Sequence, residues 1–133
     1  MRANAKVKSL MEKYPLLFKD EGPRSGFSIG EGWMPLVTNL CSILHNHLEH
    51  SVPEEIRGEM YVAQVKEKFG GLRFYMNQET PYMSGAIALA ESMSYKVCET
   101  CGLLGSVRSG GYVRTLCDTH VAEEEAKRKE RQR

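Results

Sequence analysis

The spacing of apolar side chains changes several times along the chain, and each change marks an element. Val7, Leu10, Met11 and Tyr14 fall at helical spacing within Ala3 to Tyr14, and Pro15 ends that segment. From Leu16 to Gly32 the pattern lapses into turn formers: Gly22, Pro23, Gly26, Gly30 and Gly32. A loop of that length packs on the surface or serves a function. The helical period returns from Trp33 to His50 through Leu36, Val37, Leu40, Cys41, Leu44, His47 and Leu48, and Pro53 breaks it. Alternation then predicts two strands, Tyr61 to Lys68 and Leu72 to Asn77, around Gly70-Gly71, a dipeptide open to the positive φ angles of a tight hairpin. Thr80 and Pro81 read as an N-cap and first helical residue. The helix they open runs to about Tyr95 and places Tyr82, Ala86, Leu89, Ala90 and Met93 on one face. Val121 to Arg133 predicts a solvated helix, acidic at Glu123 to Glu125 and basic at Lys127 to Arg133, an order that complements the helix dipole.

Together these elements predict an α+β fold, with helices around a short antiparallel sheet. A chain of 133 residues fits one domain and buries about two-thirds of its unfolded surface. With 41% hydrophobic and 26% charged residues, a core forms without staples, so a metal would organise one region rather than the whole fold. The 18 basic and 17 acidic residues leave a net charge of +1, which gives no global attraction to nucleic acid or an anionic membrane. Near the start, Lys8, Glu12 and Lys13 interrupt every apolar run, and no stretch approaches the ~20 residues of a membrane helix.

The cysteines change the picture. Cys98-Glu-Thr-Cys101 points two thiols at one place, and Gly102 relieves the tight backbone. Fifteen residues separate it from Cys117-Asp-Thr-His120, completing a Cys3His set suited to a closed, tetrahedral, structural zinc. Leu103 to Leu116 reads as a hairpin turning at Ser109-Gly110-Gly111, and the second ligand pair starts the terminal helix. This order resembles a treble-clef zinc finger over Val97 to about Ala126. The chain therefore divides into an α+β part (1–96), a finger (97–126) and a charged tail (127–133) within one compact domain. Thiols committed to a metal imply a reducing compartment and a cytoplasmic protein. Cys41 falls on the core face of its helix as a small hydrophobe.

Four ligands close the metal shell, leaving no open position for catalysis. His45-Asn46-His47 spells HNH, but a ββα-metal nuclease needs a histidine within its hairpin, and Leu103 to Leu116 holds none. His47 reads instead as a packed histidine, with His45 and His50 facing solvent. Gly30-Glu-Gly32-Trp33 reads as a glycine turn with an anchoring tryptophan. In Val65 to Tyr75, Lys66, Lys68 and Arg73 beside Phe69, Phe74 and Tyr75 suit single-stranded nucleic acid, but a half-buried sheet with a charged outer face produces the same alternation.

Gly30 to Trp33, Val65 to Tyr75, Ala90 to Ser94, Cys98 to Gly102 and Thr115 to His120 form a combined pattern. It resembles a family of small, largely uncharacterised proteins of bacteria, their phages and prophages. The resemblance implies a mobile-element setting in the host cytoplasm and transfers no catalytic residue. Three classes of function follow. The first is a zinc-stabilised module that binds a host or phage protein, including a host defence component. The second is a nucleic-acid binder using the Val65–Tyr75 hairpin, Arg108, Arg114 and the basic tail. The third is an enzyme, for which no convergent acid, base or nucleophile is present.

Overall fold

The computed structural model describes residues 5–19 and 22–132. Helix α1 (Ala5–Lys13) leads through a loop to strand β1 (Phe27–Ser28) and a 3-10 turn (Glu31–Trp33) that runs directly into α2 (Met34–Ser51). A short α3 (Glu54–Arg57), the hairpin β2 (Val62–Lys68) and β3 (Gly71–Met76), and α4 (Pro81–Ser94) follow. The chain ends in β4 (Ser106–Arg108), β5 (Arg114–Leu116) and α5 (Asp118–Arg131). This is the expected α+β architecture; the predicted start of the first helix at Ala3 and the last residue, Arg133, lie outside the described residues. Among those residues, no helix is long and apolar enough to cross a membrane.

One core joins the elements, with Leu10 of α1, Val37 and Leu44 of α2, Val65 and Phe74 of the sheet and Met83 and Ile87 of α4 all buried. β2 and β3 pair antiparallel, with Val65 opposite Phe74 and Lys66 opposite Arg73. The register shifts between Val62 and Gln64, so Val62 and Val65 both reach the core although they are three residues apart. The segment is thus a half-buried sheet, with Val65, Leu72 and Phe74 inside. A third strand joins it: β1 lies parallel to β2, with Phe27 opposite Val65. Two residues between turn formers are too few for alternation to reveal that strand.

The hairpin turns one residue earlier than its glycine pair suggests. Lys68 pairs with Gly71, so the central residues are Phe69 and Gly70, at φ 51° and 83°. Two positive φ angles match the right-handed twist of the strands, and Phe69 adopts one despite its Cβ. Gly71 serves a different need: a Cβ there would lie 2.6 Å from Tyr95 Cε1 and closer still to the phenol oxygen.

α4 begins as predicted, with Thr80 Oγ1 accepting from Met83 N–H at 3.2 Å. Of its sequence stripe only Ala90 is buried and Ala86 half-buried; the larger members face outward. Met83, Ile87, Ala90 and Ser94 are buried, whereas Tyr82, Leu89 and Met93 are exposed. The helix is apolar nearly all round, so periodicity alone selects no face. The choice is made by two polar side chains. Ser94 Oγ accepts from Leu72 N–H at 2.9 Å and Glu91 Oε2 from Phe74 N–H at 2.9 Å, closing the outer edge of β3. His47 is packed as expected, stacked 4.4 Å from the Tyr82 ring and 2.8 Å from Thr80 Oγ1. His45 departs from expectation: it sits half-buried, 5.6 Å from the Tyr14 ring, with Nε2 shielded and unpaired. His50 is exposed beside Glu49.

Candidate metal centre

The four predicted ligands converge. Cys98 N–H donates to Leu103 O at 2.8 Å and Gly102 N–H to Cys98 O at 2.9 Å, folding the knuckle, while Gly102 takes φ 85°. β4 and β5 pair antiparallel, with Val107 opposite Thr115, and the turn between them carries Gly110 and Gly111 at positive φ. Cys117 is the N-cap of α5 and His120 lies in its first turn. The ligating atoms of Cys98, Cys101, Cys117 and His120 all lie within 4.8 Å of one another.

Their spacing fits a four-coordinate ion. Thiolates ~2.3 Å from a tetrahedral zinc lie ~3.8 Å apart. Cys101 Sγ and Cys117 Sγ are 3.8 Å apart, and His120 Nδ1 is 3.7 Å from Cys98 Sγ and 3.2 Å from Cys117 Sγ. The imidazole turns Nδ1 to the sulfurs, leaving Nε2 on the far side, 3.7 Å from Glu123 Oε2 and beyond hydrogen-bond distance. Burial disfavours the Cys98 thiolate, but hydrogen bonds from the backbone at Cys117, Cys101 and Thr100 outweigh it and bring the thiol down to about 6. Cys117 is also lowered, first by the backbone at His120. Cys98 and Cys117 are thus prepared as anions, the form a metal takes, whereas Cys101 is raised despite the backbone at Leu103, because it shares its proton with the neighbouring sulfurs of Cys98 and Cys117. Cys41 lies in the core, outside the cluster, where burial pushes its thiol up.

The knuckle is seated in a socket made by the first half of the chain. Gly30 N–H donates to Glu99 Oε2, Gly32 N–H to Glu99 O and the Trp33 indole N–H to Val97 O, each at 2.8 Å. A Cβ on Gly32 would lie 2.6 Å from Gly102 N, 2.7 Å from Cys101 N and closer to Cys98 O. From the other side, Thr115 Oγ1 donates to Gly70 O at 2.6 Å and Glu99 N–H to Thr115 O at 3.0 Å. The glycine turn with its anchoring tryptophan therefore sits against the metal ligands. Glu99 was not singled out by the sequence; it sits inside the knuckle, 5% exposed. Burial raises its carboxyl, against the pull of Gly30 N–H and Arg114, whose Nη2 is 3.5 Å away.

The arginines proposed for phosphate contact have carboxylate partners. Arg114 also meets Glu124 at 3.0 Å, and Arg108 meets Asp118 at 2.9 Å while donating to Leu116 O. Arg73 donates to Tyr95 Oη and Leu72 O. A cleft of about 1230 Å³ opens between β1–β2 and the finger, walled by residues such as Lys66, Tyr112, Glu124 and Arg128; its lining holds no histidine or cysteine.

No family model, curated protein or solved structure matches this chain.

Proposed function

We propose that this chain is a zinc-stabilised protein-binding module with no catalytic role. The ion is a single structural zinc held by Cys98, Cys101, Cys117 and His120; three sulfurs and an imidazole suit zinc over harder ions, and four protein ligands leave no position for water. The observation that carries the binding reading is a contrast between the charged and apolar residues of the finger. Arg108 and Arg114 are paired with carboxylates, whereas Leu103, Leu104 and Tyr112 are exposed at 69%, 85% and 74%. Phe69, on the hairpin whose Gly70 O accepts from Thr115 of β5, is a further large apolar side chain, 69% exposed. Large side chains held out on a rigid, metal-tied scaffold favour contact with protein over phosphate.

Supported by the resemblance to phage and prophage proteins, this reading takes the partner to be a host or phage protein in a bacterial cytoplasm, including a component of the host's defences. Capture from host lysate, untreated and nuclease-treated, with tagged wild type and with Leu104→Asp tests this. A discrete protein retained at moderate salt by wild type and lost by the variant is the expected result. Recovery of nucleic acid alone, with affinity collapsing as salt rises, would replace this reading with the nucleic-acid one.

A further inference from the structure

The outward stripe of α4 is unexplained by the fold of one chain. Tyr82, Ala86, Leu89 and Met93 follow the i, i+4, i+7, i+11 spacing of a buried helix seam, yet three of them stand exposed at 58%, 63% and 46%. Ile43 of α2, the helix packed beside α4, adds a side chain that is 46% exposed. The one charged residue of α4, Glu91, is turned to β3, so the stripe itself carries no charge.

We infer that this face is the contact between two copies of the chain, with α4 packed antiparallel to its counterpart across a two-fold axis. The sequence is self-complementary about the midpoint between Ile87 and Ala88. Tyr82 and Met93 lie equally far from it, so each aromatic ring meets the partner copy's thioether. Ala86 and Leu89 are likewise equidistant, so each leucine enters the hollow over a small residue. Glu79 and Lys96, both exposed, stand at equal distances beyond the two ends, so the same register brings opposite charges together twice. The area is also sufficient. Taking roughly 200 Å² for a full-size side chain, the exposures of Tyr82, Leu89, Met93 and Ile43 leave about 400 Å² of apolar surface. A standard interface covers roughly 800 Å² per partner, a little over half of it apolar.

This inference stands apart from the finger's proposed partner, whose capture tests other residues. Light scattering on the purified protein reads it directly: the mass should be twice 15.0 kDa. Leu89→Glu should return it to 15.0 kDa with unchanged circular dichroism and metal content. Ala86→Leu, which fills the hollow on a half-buried position, should also dissociate the pair. Glu79→Lys should weaken association, and adding Lys96→Glu should restore it. A wild-type mass of 15.0 kDa at about 100 µM, where micromolar association would register, overturns the inference, as does a Leu89→Glu variant that stays paired. A monomeric wild type that instead captures a different protein through Leu89 would assign the face to that protein.

Discussion

Replacing Gly32 with alanine adds one methyl group where three backbone atoms of the cysteine knuckle already stand. The new Cβ would fall 2.6 Å from Gly102 N and 2.7 Å from Cys101 N, and nearer to Cys98 O, none of which can rotate aside. The knuckle is held from its other side by the Cys98 N–H to Leu103 O and Glu99 N–H to Thr115 O bonds, so the socket opens. Overpacking costs about 1–3 kcal/mol. Loss of the Gly32 N–H to Glu99 O bond adds about 1 kcal/mol. A total near 3 kcal/mol, in a chain of 133 residues, lowers Tm by about 10–15 °C. Thermal unfolding followed by circular dichroism gives that shift. Fluorescence of Trp33, the only tryptophan, reports whether its buried ring has become wet. Bound metal should stay stoichiometric, because all four ligands lie outside the displaced turn. Gly85→Ala is the matched control: a Cβ there meets nothing within 4 Å, so the same change should stabilise α4 by about 0.5–1 kcal/mol. A Gly32→Ala protein that melts within about 2 °C of wild type with unaltered fluorescence would refute the socket argument.

Purified protein should carry one zinc per chain by elemental analysis; Cys117→Ser should lose it and loosen the finger, while Cys41→Ser, altered in the core, should keep it. In the metal-free protein the folded Cys98 thiol lies at about 6 against an ordinary 9.0, so the stability it contributes is full above the higher value and is lost as pH falls toward the lower. Cys117, also lowered, adds to that decline, while the raised Cys101 and His120 run against it. Denaturant titrations of wild type and Cys98→Ser side by side therefore isolate the Cys98 share: the stability gap between the two should narrow as pH falls across that window. Ser94→Ala leaves the buried Leu72 N–H without its acceptor and should cost about 1–3 kcal/mol by urea unfolding, with metal content unchanged.

What could be read from sequence was whatever a local pattern enforces. The period of Trp33 to Leu48 yields α2, Thr80-Pro81 yields the α4 start, and the ligand spacing yields the metal cluster. What escaped depends on distant partners. The inward face of α4 is chosen by Ser94 and Glu91 answering β3 amides, which apolar periodicity does not register. The hairpin turns at Phe69-Gly70, and Gly71 is kept small by Tyr95 from the end of α4, a demand that only the folded chain makes visible. Glu99 resembles any exposed acid between two ligands until Gly30 and Arg114, far away in sequence, enclose it.

The socket also sets an order of events during synthesis. Gly30 N–H, Gly32 N–H and the Trp33 indole N–H find their acceptors only on Val97 and Glu99. While those residues are still inside the ribosome, the emerged chain can offer these three donors only to water, so this side of the core stays wet. Thr115, which closes the opposite side onto Gly70, arrives later still. The nascent chain is therefore unable to seal this side of its interior until the segment from Val97 to Thr115 has emerged, the same segment that carries Cys98 and Cys101.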